Sequence, residues 1–183
     1  MYDAVVSAYV TATGVPFLSV NYRLVPEVHA TTLAEDAFAG VTWLIAHASQ
    51  LRVDPHRIAI MGDSGGVAAG AAIVARERQV ALAQQILIYP MLDDRNLVPN
   101  TLPAQFATWT YEQNETAWNA VLDGKQGSET VSPIADPARL IGFGGLALAY
   151  IEVGDLDIFR DEDIVPEQMT PWPIPHHRGV YWL

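Results

Sequence analysis

The sequence predicts an α/β fold in which a doubly wound, mostly parallel sheet carries helices on both faces. Short runs of β-branched and aromatic residues, which are typical of buried strands, alternate with longer runs whose apolar residues recur at helical spacing. Half of the 183 residues are hydrophobic and 17% are charged, so the chain can bury a real core. We therefore expect residues 1–183 to form a single α/β domain.

The first two predicted elements are a strand and a helix. Residues 15–22 (VPFLSVNY) form a short apolar run, and we expect a buried strand there. A helix is predicted from Thr32 to about His47, and because Glu35 follows Thr32 by three residues, we expect a capping box at its start. Its apolar residues at helical spacing are Leu33, Phe38, Val41, Leu44 and Ile45.

Three further strands are predicted at residues 57–61, 84–89 and 146–153, because each is a short apolar run next to turn residues. The alanine-rich run after the second of the four strands predicts a helix to about Arg78. Strands that alternate with helices favour parallel pairing.

Residues 93–135 are expected to form a helical cap inserted between the last two strands. Roughly 55 residues separate those strands, too many for a bare loop. The insertion carries the aromatic residues Phe106, Trp109, Tyr111 and Trp118. Residues 164–183 are expected to form an irregular tail, because prolines interrupt any regular helix there.

Composition excludes several functions and partners. The net charge of −11 would repel nucleic acid and anionic lipid surfaces. The chain has no cysteine, which removes disulfides, thiol catalysis and cysteine zinc sites. No apolar run approaches the roughly 20 residues of a membrane span, and the first residues lack the basic start of a signal peptide. We expect a cytoplasmic protein without a cofactor.

The string Gly62-Asp63-Ser64-Gly65-Gly66 lies between a predicted strand and a predicted helix, where it indicates a nucleophile elbow. Such a sharp turn exposes Ser64 for nucleophilic attack, and only residues without side chains fit closely beside it. The Gly65 N–H is the expected oxyanion donor. Asp63 is expected to hold the elbow. A purely structural glycine-rich turn is the alternative.

The same five letters occur in trypsin-like serine proteases, which are a competing interpretation. Those proteases are all-β and usually disulfide-bonded, whereas this chain has no cysteine and sets Ser64 between a strand and an alanine-rich helix. The context therefore excludes the protease.

Several ordered strings in residues 1–163 resemble the bacterial hormone-sensitive-lipase-like (family IV) carboxylesterases, which have the α/β-hydrolase fold. Besides the elbow, these strings are Asn21-Tyr-Arg-Leu-Val-Pro-Glu27, the Glu35-Asp36 pair, Val53-Asp-Pro-His-Arg-Ile58, Leu87-Ile-Tyr-Pro-Met91 and Val153-Gly-Asp-Leu-Asp-Ile-Phe-Arg-Asp-Glu162. Within the first string we expect Arg23 and Glu27 to form a structural ion pair.

The resemblance implies that Ser64 is the nucleophile and that Asp157 is the acid that orients a histidine. Asp157 also follows a predicted strand, where α/β sheets place catalytic groups. A helix N-cap is the alternative role for Asp157, and Asp155 and Asp161 are close rivals for the acid.

The chain departs from the family pattern at three places. It begins downstream of the family's HGGG-type oxyanion loop, and its elbow has one small residue fewer than the usual Gly-Asp-Ser-Ala-Gly-Gly. The third departure concerns the catalytic histidine, which in the family follows one more helix and strand, whereas His176 and His177, the only histidines after Asp157, lie in a proline-rich tail. We assign the general base to His177, with His176 equally eligible and a solvated histidine pair as the alternative. No metal is expected, because adjacent histidines rarely reach one ion without further ligands.

The family's sheet normally has a strand between those that match residues 15–22 and 57–61, and this chain lacks it. An open slot would expose unpaired backbone groups. We expect the two strands to pair directly, or a domain swap to fill the slot.

These observations favour a serine esterase for small, short-chain acyl esters, with feeble turnover because parts of the machinery are missing. The alternative is a truncated, catalytically impaired homologue that binds a ligand. A third hypothesis is a homodimer in which a partner chain completes the site.

Overall fold

The structure is a computed structural model that describes residues 3–164. Three parallel strands form the sheet of this part of the chain. Strand β1 spans Ala59–Asp63, β2 spans Gln84–Ile88 and β3 spans Ala149–Glu152, in the order β1-β2-β3. Asp63 lies opposite Ile88, which lies opposite Glu152. The predicted parallel α/β sheet is confirmed, and the carboxyl ends of all three strands meet at one edge.

Helices connect these strands and precede them. None of those within residues 3–164 is long and apolar enough to cross a lipid bilayer. The α-helices are α1 (Asp3–Thr13), α2 (Thr32–Ala46), α3 (Ala48–Leu51), α4 (Val67–Glu77), α5 (Thr101–Ala104), α6 (Tyr111–Val121) and α7 (Arg160–Ile164), and short 3-10 helices span Pro55–Arg57 and Pro137–Arg139.

The capping box expected at the start of α2 does not form. Thr31, not Thr32, is the N-cap residue of that helix, and its side chain makes no capping hydrogen bond. A capping box closes the first turn of α6 instead, where Thr110 and Gln113 bond each other's backbone N–H groups. The predicted length and apolar face of α2 are confirmed, since Leu33, Phe38 and Val41 are buried.

Helix α4 covers one face of the sheet. Because side chains alternate between the two faces of a strand, every second strand residue points toward α4. Ile60, Gln85, Leu87 and Ala149 share this face and are at most 9% exposed. The small side chains of α4 let the helix approach the strands closely, and α2 packs against α4. The core around the elbow is therefore a layer of small residues.

The strand predicted at residues 15–22 is wrong. This segment has no regular secondary structure, and Val15, Phe17 and Leu18 are 54%, 37% and 42% exposed. The segment packs against α2 instead of a strand, since the side chain of Val20 lies against Gly40 of that helix. A strand needs a neighbour to pair with, and the described residues offer this segment none.

The ion pair expected between Arg23 and Glu27 is wrong as well. The Arg23 guanidinium instead donates to both carboxylate oxygens of Asp36 on α2, at 2.8 and 2.7 Å. The Arg23 backbone N–H donates to the same carboxylate at 3.1 Å. These hydrogen bonds lower the pKa of Asp36 to about 2 and tie the segment to α2.

The direct pairing expected between residues 15–22 and the strand at 57–61 is also wrong. Within residues 3–164, β1 pairs with β2 alone, and its other edge carries no strand. Among the described residues β1 is therefore an edge strand, although it carries the elbow at its end.

Gly70 allows α4 to pack closely, which predicts the cost of adding a methyl group there. A Cβ at Gly70 would overlap the Ile134 carbonyl oxygen and lie 2.9 Å from the Ala34 Cβ. We expect Gly70→Ala to lower the free energy of unfolding by about 1–3 kcal/mol despite the better helix propensity of alanine. Urea unfolding measures this difference.

Gly144→Ala is the matched control, because a Cβ there meets no atom within 4 Å. We expect its midpoint to stay within the error of the wild type. A Gly70→Ala protein that is as stable as the wild type would show that the two helices do not pack as closely as described.

Candidate active site

The elbow forces Ser64 into a strained backbone conformation between β1 and α4. Its φ angle is 57°, in the left-handed region that residues with side chains rarely adopt. The Ser64 N–H donates to the Ile88 carbonyl at 3.0 Å, which continues the pairing of β1 with β2. Its carbonyl oxygen accepts hydrogen bonds from the N–H groups of Gly66 and Met91, both at 2.6 Å. The loop after β2, through Met91, therefore helps to keep Ser64 in this strained conformation.

Two glycines are required by the elbow for different reasons. Gly66 has a φ of 70°, and a Cβ there would overlap the Met91 carbonyl oxygen. A Cβ on Gly62 would lie 2.7 Å from the Ala68 Cβ at the start of α4. Although this elbow is one residue shorter than that of the family it resembles, it keeps the left-handed turn at Ser64.

Gly65 differs from the other elbow glycines because it is exposed and a Cβ there meets no atom within 4 Å. Its N–H donates to no atom of residues 3–164. It lies just before the N-terminus of α4, where backbone N–H groups favour negative charge. An oxyanion beside Ser64 would find this donor available. Asp63 contacts the Tyr89 hydroxyl through Oδ2 at 3.5 Å.

Asp157 follows β3 at the same edge of the sheet as Ser64. The two side chains follow strands that lie two positions apart, about 10 Å at the usual strand spacing. The half-buried Asp157 accepts a hydrogen bond from the Phe159 N–H at 3.0 Å, which agrees with the alternative capping role. It lines a groove of about 370 Å³ together with Asn100 and Tyr111.

Asp155 and Asp161, the rival acids, are both paired with a cation. The Arg160 guanidinium lies 3.3 Å from Asp155 and 2.8 Å from Asp161. Asp157 forms no ion pair with any cation in the described part of the chain. Among the three acids, Asp157 alone therefore keeps its charge available for an imidazolium.

The histidines within residues 3–164 do not join Ser64 to Asp157. The Nδ1 atoms of His29 and His47 each lie 2.8 Å from a backbone carbonyl, of Ala120 and Trp43 respectively. His56 lies in the 3-10 helix before β1. His176 and His177, the expected general bases, and the expected irregular tail beyond Ile164 lie outside the described residues.

A cluster of acids that involves the loop after β2, Asp93, Asp94 and Asp136, was not predicted from the sequence. The Arg139 guanidinium donates to Asp94 and Asp136, both at 2.6 Å. Burial and the hydrogen bond with Asp94 raise the pKa of Asp136 to about 8. Although burial opposes ionisation of Asp94, hydrogen bonds from Asp136, Gly127 and Arg139 keep its pKa below the ordinary value.

Carboxylate oxygens of Asp93, Asp94 and Asp136 lie within 4.8 Å of one another, the spacing of a metal site. The Arg139 guanidinium already pairs with two of these carboxylates, and Arg95 pairs with Asp93 at 2.7 Å. The cluster is therefore explained as an ion-pair network.

Two further acids lie on α7, the helix that follows Asp157. Burial raises the pKa of Glu162 to about 8, although its carboxylate accepts three hydrogen bonds. Burial, with the charges of Glu162 and Asp157, raises the pKa of Asp163 to about 10. Neither carboxylate oxygen of Asp163 has a hydrogen-bond partner among the residues described.

Comparison with known proteins gives the family. A family model for the alpha/beta hydrolase fold matches residues 1–169. The chain belongs to the α/β-hydrolase family. The fold expected from the sequence is thereby confirmed, and the relatives that follow confirm the expected resemblance to carboxylesterases.

Several proteins to which this chain is similar are named as esterases or ester hydrolases. It is 33% identical over 115 residues to ethyl acetate hydrolase of Pseudomonas putida, covering 56% of this chain and 36% of that protein. It is 32% identical over 151 residues to esterase LipI of Mycobacterium tuberculosis, covering 80% and 47%. A solved bacterial heroin esterase matches 78% of this chain and 47% of its own, with 35% identity and a TM-score of 0.71. The α/β-hydrolase chain thus spans less than half the length of these relatives.

The elbow of this α/β-hydrolase predicts that alanine lowers the free energy of unfolding at one of two adjacent glycines and leaves it nearly unchanged at the other. Gly66→Ala adds a left-handed alanine and a Cβ that overlaps Met91, so we expect a loss of at least about 1–2 kcal/mol in the free energy of unfolding. Gly65→Ala keeps the N–H and meets no atom, so we expect a change below about 0.5 kcal/mol. Urea unfolding of both variants measures these changes, and equal losses would contradict the described elbow.

Asp163 predicts a pH-dependent stability. Folded Asp163 keeps its proton up to about pH 10, whereas the unfolded chain releases it above its ordinary pKa of 3.8. The free energy of unfolding therefore falls as pH rises through this window, by up to about 1.4 kcal/mol per pH unit. Asparagine cannot ionise, so we expect Asp163→Asn to gain stability over the wild type between pH 4 and pH 8. Urea unfolding at pH 4, 6 and 8 measures the gain.

Asp161→Asn is the control on the same helix, because Asp161 is exposed and pairs with Arg160. We expect its difference from the wild type to change little with pH. A difference for Asp163→Asn that stays constant from pH 4 to pH 8 would contradict the burial of an un-ionised carboxyl group.

Proposed function

We propose that this α/β-hydrolase hydrolyses carboxylic esters with short acyl chains, with Ser64 as the nucleophile. The observation that carries the proposal is the elbow: Ser64 has a left-handed φ of 57°, and the adjacent Gly65 N–H has no acceptor within residues 3–164. A strained serine beside an available backbone donor is the arrangement that acyl transfer requires. The esterase relatives support the same reaction.

In the proposed reaction, Ser64 Oγ attacks the acyl carbonyl carbon and its proton passes to a histidine. The carbonyl becomes a tetrahedral oxyanion that accepts a hydrogen bond from the Gly65 N–H. The bond from the carbonyl carbon to the alcohol oxygen then breaks, and the histidine returns its proton to the departing alcohol. In the second half, the histidine takes a proton from water as the water oxygen attacks the acyl carbon. The bond from that carbon to Ser64 Oγ then breaks and the histidine returns its proton to Oγ, which releases the acid and restores Ser64.

We propose Asp157 as the acid that orients this histidine, and His177, or equally His176, as the base. Asp157 follows β3 at the edge of the sheet that carries Ser64, and unlike Asp155 and Asp161 its side chain forms no ion pair within residues 3–164. A carboxylate without its own counterion stabilises an imidazolium best.

The preference for short acyl chains rests on the space beside the elbow. A cavity of about 20 Å³ is lined by Gly65 and Gly66 on one side and by Trp118 and Val121 of α6 on the other. A volume of this order holds about one water molecule. We propose that residues 93–135, which contain α6, form the cap over this site and limit the acyl group.

The proposal extends to the wider setting of the protein. We assign it to the hormone-sensitive-lipase-like branch of the family on the strings in residues 21–162. We propose the cytoplasm as its location, with which a chain free of cysteine is compatible. We propose a homodimer or domain swap as the state that completes the sheet, since β1 has one edge without a partner in residues 3–164.

A fluorophosphonate probe tests the nucleophile. We expect the folded wild type to become covalently labelled at one serine and to hydrolyse p-nitrophenyl acetate faster than p-nitrophenyl octanoate. Ser64→Ala is expected to abolish labelling and hydrolysis, because the reacting oxygen is removed. Mass spectrometry and release of p-nitrophenol measure these outcomes. A folded wild type that is neither labelled nor active would exclude the esterase and favour a ligand-binding homologue.

The assignment of Asp157 is tested by amide replacements at two aspartates of one loop. We expect Asp157→Asn to lower kcat for p-nitrophenyl acetate by about 10² to 10⁴, because the imidazolium loses its counterion. Asp155→Asn, the control, removes only the contact with Arg160 and is expected to change kcat less than about threefold. A larger effect at Asp155 would exchange the two roles.

A further inference from the structure

The loop at residues 91–96 contacts both halves of the proposed site. At its start, the Met91 N–H donates to the Ser64 carbonyl at 2.6 Å, and the Met91 carbonyl lies where a Cβ on Gly66 would be. The geometry of the elbow therefore depends on where Met91 lies. The remainder of the loop faces α7, the helix that follows Asp157.

Glu162 on α7 holds this loop through its carboxylate. Its Oε1 atom accepts the backbone N–H groups of Leu92 at 2.7 Å and of Asp93 at 3.2 Å. Its Oε2 atom accepts the Asn96 Nδ2 donor at 2.7 Å. Leu92 directly follows Met91, so one carboxylate is separated from the elbow by a single residue of backbone.

Asn96 closes the connection on the other side. The same Nδ2 group donates to the Ile158 carbonyl at 2.9 Å, and Ile158 directly follows Asp157. Asn96 is in turn held by α6, because the Asn114 side chain donates to its carbonyl at 3.2 Å. The hydrogen bonds thus run continuously from the elbow, through residues 91–96, to the residue beside Asp157.

We infer that Glu162 is a positioning residue that fixes Asp157 relative to Ser64. This inference rests on the proposed function, because it assumes that these two residues act together. Glu162 touches neither Ser64 nor substrate, and it acts through Leu92 and Asn96. Small displacements between catalytic groups cost large factors in rate, so a link of this kind affects kcat more than substrate binding.

Two substitutions separate the parts of the link. Glu162→Ala removes all three hydrogen bonds, and we expect it to lower kcat for p-nitrophenyl acetate on the order of a hundredfold with KM within about threefold. Glu162→Gln keeps one carbonyl acceptor for Leu92 but turns an amide donor toward Asn96, so we expect an intermediate loss. Glu115→Gln, an exposed site on α6, is the control and is expected to keep the wild-type kcat.

Spin labels report the position of α4, which begins at the elbow, relative to the loop that carries Asp157. Because the chain has no cysteine, labels can be placed at the introduced cysteines Glu77→Cys on α4 and Leu156→Cys beside Asp157, both exposed positions. We expect the distance distribution between them to be narrow with Glu162 present and broader in Glu162→Ala. Circular dichroism verifies that each variant stays folded at the assay temperature.

The outcomes distinguish the inference from the proposed function. If the wild type hydrolyses ester and Glu162→Ala changes neither kcat nor the distance distribution, the positioning role is overturned. If the folded wild type is inactive, the esterase proposal fails, and the distance distribution alone decides whether Glu162 links the two loops. A Glu162→Ala protein that unfolds is replaced by Glu162→Gln, for which unchanged kcat and distances overturn the inference equally.

Discussion

The carbonyl oxygen of Ser64 accepts two hydrogen bonds, from the N–H groups of Gly66 and Met91, and the candidate site depends on this pair. A serine with a positive φ is costly, and it persists only where the surroundings leave it no alternative. Met91 supplies that restraint from the loop after β2, and Gly66 is required because any side chain there would displace Met91. The nucleophile is thus held by the neighbouring strand's loop as much as by its own.

Buried acids stabilise the loops around this elbow. Arg139 joins Asp94 and Asp136, while Glu162 holds the backbone of Leu92 and Asp93. Burial of a carboxyl group costs solvation free energy, which hydrogen bonds more than offset at Asp94 but offset only in part at Asp136 and Glu162. These acids lie at the carboxyl edge of the sheet, where long loops must be held in place. Their oxygens accept hydrogen bonds from the loop backbone N–H groups, which apolar side chains cannot do.

The elements that the sequence predicted well are those whose signals are local. The strand before Ser64 and the alanine-rich helix after it follow from short patterns, and the structure confirms them as β1 and α4. Residues 15–22 have strand composition, but a strand exists only with a neighbour, which composition does not encode. The Asp94 to Arg139 contact spans 45 residues, so no local pattern predicts it. Glu162 lay inside a recognised string, yet its partners were visible only in three dimensions.

The free edge of β1 has a consequence for the precision of the site. Ser64 N–H and Ile58 carbonyl point toward β2, so by alternation the backbone groups of Ala59, Met61 and Asp63 point away from it, toward the edge without a strand in residues 3–164. Central strands are restrained from two sides, whereas β1 is restrained from one. The position of the reactive oxygen is therefore only as well defined as the register between β1 and β2, and thermal fraying of that single ladder would move the nucleophile before it unfolds the core.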